Sequence, residues 1–242
     1  MWIPLVCLCY LPLGPLYINL ELIPSQFYSD IQFGFRRFQA PATRIFAKRS
    51  VFLLHVPPSP IACWLLSWMP QLVSSLLQRL LPEWFLPTTV ILKERNPAKA
   101  DSYENELAAY EHLQQLQGHC IPRLFGQAAI HDDRQTRYQM SKLPIPGMLL
   151  EKVEGVPLHN LPAEELGDRL LEQLQETYRL LTEEGVVHGD PNLHNFVRVN
   201  NERTVAIDFE FSYPLPSDVR NEHDFETLKD EIERQRKTAE GR

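Results

Sequence analysis

The chain has 242 residues, long enough for one large domain or two small lobes sharing a cleft, and its 44% apolar and 23% charged residues are ordinary for a globular protein. Its net charge of −7 argues against nonspecific nucleic-acid binding, which needs a basic surface to neutralise phosphates. The charge is uneven: residues 1–92 carry six Lys/Arg against three Asp/Glu, whereas the rest carry 18 against 28.

Residues 1–20 are very apolar, but no Lys or Arg precedes the run, and Pro4, Pro12 and Pro15 interrupt it. Neither a secretory signal nor a spanning helix is expected there. A second apolar stretch, Ile61–Leu81, contains Pro70 and Arg79, which count against a membrane span. Its spacing suits a helix laid on a core or a partner, and contact with a membrane surface through this apolar N-terminal region is the weaker reading. Eleven of the 20 prolines fall in the first 87 residues, and residues 1–81 stay unassigned. Cys7, Cys9, Cys63 and Cys120 form no CxxC pair and no zinc-type spacing, so reduced thiols and a cytoplasmic location are expected.

After position 82 the elements become regular. Thr88–Lys93 is a β-branched run, the signature of a buried strand. Asp101, with Glu104 three residues on, is expected to cap a helix running to Gln117 and stopped by Gly118. Tyr103, Glu106, Tyr110 and Leu113 share one face of that helix. A carboxylate at Glu106 therefore needs a partner, because burying it alone is costly. Strands are expected at Tyr138–Met140 and Met148–Val153, and a long amphipathic helix from Ala163 to Glu184. Two short strands, Phe196–Val199 and Thr204–Ile207, flank a turn at Asn200–Asn201, and a charged helix covers Asn221–Lys237.

The segment that carries chemistry is His188-Gly189-Asp190-Pro191-Asn192-Leu193-His194-Asn195-Phe196, followed by Ile207-Asp208-Phe209-Glu210. It sets a carboxylate and a carboxamide five residues apart in a loop, with a second carboxylate thirteen residues further on. Oxygen ligands of this kind suit Mg²⁺, which is held by one or two carboxylates plus substrate phosphates. A carboxylate beside such an ion can accept the proton of an attacking hydroxyl.

This pattern resembles the catalytic core of the protein-kinase-like superfamily, in which H-x-D-x-x-x-x-N precedes D-F-G. It is closer to the aminoglycoside and choline phosphotransferases and small atypical protein kinases that write H-G-D-x-x-x-x-N and D-F-E. The resemblance covers about residues 85–230. It implies an α+β, protein-kinase-like bilobal fold with a reduced N-lobe and a truncated C-lobe. The N-lobe would span 82–153 and the compact C-lobe 154–242. It also implies that Lys93 holds the nucleotide phosphates and pairs with Glu106, and that the strand ending at Glu151 and Val153 meets adenine. Asp190 would act as the base, and Asn195 and Asp208 would hold Mg²⁺. His188 and Asp224 would brace the loop, and Glu210 would either brace it or join the metal.

Four features depart from the family pattern. No G-x-G-x-x-G precedes Lys93, where Gly14 and Gly34 are the only glycines. Gly189 replaces the arginine on which activation-loop control depends, and Asn192 replaces a phosphate-binding lysine. Only 32 residues follow Glu210, from which the truncated C-lobe is expected. The expected activity is ATP- and Mg²⁺-dependent phosphoryl transfer to a hydroxyl of a protein or small molecule. The alternative is a pseudokinase that binds a nucleotide or a partner without catalysis.

Overall fold

The computed structural model describes residues 26–45, 49–69, 73, 77–78, 80–131, 143–215 and 221–240. Six antiparallel strands close a barrel in the order β1-β2-β3-β4-β6-β5. They are β1 (Gln26–Phe33), β2 (Arg36–Arg44), β3 (Val51–His55), β4 (Thr89–Glu94), β5 (Leu124–His131) and β6 (Ile145–Glu151). Alternate side chains fill the barrel, among them Ile31, Phe38, Phe52, Leu92, Ile130 and Leu149. Each such side chain contributes roughly 1.5–3 kcal/mol by leaving water.

The expected bilobal kinase-like fold is not the one adopted. Among the described residues the strands form a closed barrel, accompanied by a few helices, rather than the expected reduced N-lobe and truncated C-lobe. The difference arises in residues 26–55, which supply three strands from a region the sequence pattern left unassigned. Strand β1 pairs with β2 along its whole length and also with β5, from Phe33↔Ala128 to Asp30↔His131, which shuts the sheet on itself. Ser29, Ala40 and Ala42 take inward positions there, so the apolar alternation is faint. Pro41 interrupts β2, yet it costs little. It lies just outside the three-residue register that β2 shares with β3, Ala42–Arg44, so no bond of that ladder needs its missing N–H.

Helix α1 (Pro60–Trp68) is capped by Ser59, whose Oγ accepts from the Ala62 N–H at 3.2 Å. The expected single helix over Ile61–Leu81 therefore breaks early. Met69, the residue before Pro70, is extended (φ −100°, ψ 145°), as a following proline requires. Trp64 and Trp68 face solvent rather than a core, at 64% and 79% exposed. The apolar residues 1–25 and the expected strand Tyr138–Met140 lie outside the described residues.

Helix α2 (Ala100–His112) begins differently from expectation. Asn96, not Asp101, does the capping: its Oδ1 accepts from the Ala98 N–H at 2.9 Å and starts a 3₁₀ turn, Pro97–Lys99, that leads into α2. Pro97 favours that earlier start, and Asp101 sits instead in the first helical turn. Helices α3 (Asp168–Glu183) and α4 (Glu222–Glu240) follow, with short strands β7 (Val156–Pro157), β8 (Val186–Val187), β9 (Phe196–Val199), β10 (Arg203–Ala206) and β11 (Tyr213–Pro214). Asn200 and Asn201 turn the β9–β10 hairpin at φ 50° and 59°, a left-handed pair that asparagine tolerates.

A second core lies outside the barrel, built from Tyr110, Leu113, Leu174, Phe196, Phe209 and Leu228 among others. Strand β6 is the wall between the two cores. Leu149 points into the barrel, while Met148 and Leu150 belong to the second core. The same alternation on β4 puts Val90 and Leu92 inside the barrel and leaves Ile91 and Lys93 on its outer face, where the site forms.

Candidate nucleotide site

A cavity of about 480 Å³ opens on that outer face, within the roughly 300–1,000 Å³ range of small-molecule sites. Ile45, Val51, Ile91, Leu150 and Val197 give it apolar walls, and Lys93, Glu106, Asn195 and Asp208 gather as polar groups. Glu151 and Val153 line it as well. Beyond Glu151 the backbone of Lys152–Glu154 leaves the sheet, so it runs along the cavity edge outside any strand.

Lys93 is the centre of the charge arrangement. Its Nζ forms an ion pair with Glu106, which is buried on α2, and donates to Asp208 Oδ1 at 2.6 Å. The two carboxylates come from positions 13 and 115 residues away from Lys93 and meet only because of the fold. Burial works against the ammonium, but Glu106 and Asp208 outweigh it and hold the Lys93 pKa above its ordinary value. Burial also pushes the Glu106 carboxyl up, against the pull of Lys93. At Asp208 the balance goes the other way: burial raises the carboxyl, yet Lys93 and Arg49 leave it below the usual carboxylate range. Glu106 is thus the partnered carboxylate that its place on an apolar helix face demands.

Asp208 has φ 67°, a left-handed conformation uncommon outside glycine. The next residue, Phe209, is fully buried and packs edge-on against Tyr110 of α2, with ring centroids 5.5 Å apart. That contact anchors the loop to the helix that carries Glu106. Glu210 lies 3.8 Å from the Lys99 ammonium, and its backbone carbonyl accepts from Asn105 Nδ2 at 3.1 Å. Both contacts tie the loop to the start of α2.

The preceding loop is held by hydrogen bonds at each turn. His188 is fully buried, and its Nε2–H donates to the Ile207 carbonyl at 3.0 Å. Burial pushes its pKa down, so the ring is neutral and braces the loop rather than acting as a base. The Gly189 N–H donates to Asp224 Oδ2 at 2.9 Å. Gly189 has φ 78°, and a Cβ there would stand 2.2 Å from the Phe211 carbonyl oxygen, so glycine is required on both counts. Asp190 does not line the cavity. Its carboxylate instead accepts from Asn192 Nδ2 at 2.9 Å and Asn195 Nδ2 at 2.7 Å, both from residues that do.

Asn195 spends its amide nitrogen on Asp190, so the atom it can offer a metal is its carbonyl oxygen. One carboxylate (Asp208) and one carboxamide oxygen, completed by phosphate oxygens, fit the oxygen preference of Mg²⁺. Among the described residues no group of three or more His, Cys, Asp or Glu side chains is arranged to hold a metal by itself.

Arg49 belongs to none of the motifs that mark the other site residues in the sequence. It lies between β2 and β3, lines the cavity and forms an ion pair with Asp208 Oδ2. The signal available was the Lys48–Arg49 doublet inside the basic first part of an acidic chain. Cys63 and Cys120 are free thiols, with Cys120 buried and its pKa pushed up to about 11. Among the described residues no helix is long and apolar enough to cross a membrane. No protein-family model matches the chain, and no curated protein is significantly similar to it.

Proposed function

We propose that the cavity binds Mg–ATP and that the protein transfers the γ-phosphoryl group to a hydroxyl of a protein or small molecule. The observation that carries this reading is the junction of Lys93 with Glu106 and Asp208 beside an apolar cavity of nucleotide size. The apolar walls suit a base, with backbone groups near Glu151 and Val153 at its polar edge. Lys93, oriented by Glu106, meets the phosphates, while Asp208 and the Asn195 carbonyl oxygen offer ligands to Mg²⁺. Asp190, held by Asn192 and Asn195, orients the acceptor hydroxyl and takes its proton. Bound Mg²⁺ would supply charge neutralisation at the phosphates, and the protein's share is positioning and exclusion of water. The resemblance of the two loops to those of protein-kinase-like phosphotransferases supports these roles, although the barrel does not have their expected fold. Free Cys63 and Cys120 are consistent with a reducing compartment such as the cytoplasm.

A second reading, nucleotide binding without catalysis, is favoured by one observation: Asp190 stands outside the cavity lining. Release of ADP from Mg–ATP by wild type and Asp190→Asn separates the two. The transfer reading predicts slow Mg²⁺-dependent release by wild type and a loss on the order of 10²-fold or more in the variant, with ATP affinity kept. Equal rates in both proteins would leave the binding module as the better account.

A further inference from the structure

The Mg–ATP reading leaves a deficit of positive charge. No glycine loop precedes Lys93, and the segment Pro191–His194 contains no Lys or Arg. A triphosphate carries about four negative charges at neutral pH, and Lys93 is already shared between Glu106 and Asp208. Arg49 is the one further cation among the residues described as lining the polar end of this cavity, apart from Lys152 at the Glu151–Val153 edge.

Arg49 and Lys93 hold the two oxygens of one carboxylate: Arg49 pairs with Asp208 Oδ2 and Lys93 with Oδ1. Glu210 and Asp190 add to the negative field felt by Arg49. Asp208 cannot serve both cations and a divalent ion at full strength. When Mg²⁺ takes an Asp208 oxygen, the Arg49–Asp208 ion pair weakens at the place where phosphate oxygens arrive with the metal. The Arg49 side chain is about half exposed, at 49%. A planar guanidinium matches two phosphate oxygens at once, which a lysine ammonium does not.

We infer that Arg49 is a polyphosphate-binding residue, supplying from the β2–β3 connection the contact that backbone amides of a glycine-rich loop would otherwise make. It exchanges Asp208 for the phosphate tail when the metal–nucleotide complex enters. This inference rests on the Mg–ATP reading and adds to it the residue that distinguishes nucleoside triphosphates from nucleosides.

The test is calorimetric titration of Mg–ATP, Mg–ADP and adenosine into wild type, Arg49→Ala and Arg49→Lys. Arg49→Ala is expected to weaken Mg–ATP binding by roughly 10- to 100-fold, the loss of one charge-assisted contact. Adenosine affinity should change less than about twofold by the same reasoning, which also shows that the variant is folded. Arg49→Lys should recover part of the loss. Unchanged or tighter Mg–ATP binding by Arg49→Ala, with less Mg²⁺ needed, would overturn the inference and make Arg49 a plug on Asp208. If wild type binds adenosine but no Mg–ATP, or binds neither, the underlying nucleotide reading fails and the Arg49 role falls with it.

Discussion

At the scale of single residues, the site is held together by buried polar groups with a definite sign of pH dependence. His188 is neutral, fully buried and bonded through Nε2–H to Ile207. Its pKa in the folded chain is depressed by burial, whereas in an unfolded chain it is about 6.5. The unfolded state therefore binds the extra proton first as pH falls. Above about pH 6.5 His188 leaves stability independent of pH. Below it stability is lost, at no more than about 1.4 kcal/mol per pH unit, until the folded-state pKa is reached. Replacing His188 with Gln, which keeps a donor for Ile207, should flatten the melting temperature between about pH 6.5 and 5 relative to wild type. An unchanged slope would show that His188 does not titrate on unfolding. Of the residues read from sequence, Lys93, Glu106, Asn195 and Asp208 line one cavity with Glu151 and Val153. Asn195 and Asp208 were legible from the short spacings of their loops and Glu106 from its place on an apolar helix face. Lys93, Glu151 and Val153 were legible only through the family resemblance. Arg49 was not legible, because a basic residue between two strands has no local pattern to mark it.

At the scale of elements, legibility followed the strength of the periodic signal. The run at Thr89–Glu94 and the β9–β10 hairpin are strongly patterned, and both form as strands. Strands β1 and β2 place Ser29, Ala40 and Ala42 inward, so alternation alone could not reveal them. What stabilises them is pairing on two sides: β1 bonds to both β2 and β5. Nothing within residues 26–44 foretells the partner near position 130. The helix start at Ala100 shows the same limit on a smaller scale, since Asn96 and Pro97 begin a turn that a capping box read from Asp101 overlooks. Ile31, fully buried at the centre of β1, tests the closure directly. Its replacement by Ala should cost about 2–5 kcal/mol in denaturant unfolding, the range for a truncated core side chain. A loss below about 1 kcal/mol would mean that β1 contributes little to closing the barrel.

At the scale of the whole molecule, the barrel and the helical core have separate interiors joined through β6, and the site lies where their surfaces meet. The barrel supplies Lys93 on the outer face of β4 and Arg49 from the β2–β3 connection. The second core supplies Glu106 on α2, whose Tyr110 also packs against Phe209 beside Asp208. A nucleotide bound there would bridge both parts and so raise the stability of the folded state in proportion to the logarithm of its concentration over Kd. Asp208 is the side chain through which the proposed nucleotide site would respond to magnesium. The measurement that tests it most directly is Mg–ATP titration into wild type and Asp208→Ala, with magnesium present and then removed by chelation. Binding by wild type that weakens on chelation, together with a variant whose affinity no longer responds to magnesium, is the predicted result. Wild type that fails to bind Mg–ATP, or a variant with the same magnesium response as wild type, would contradict it.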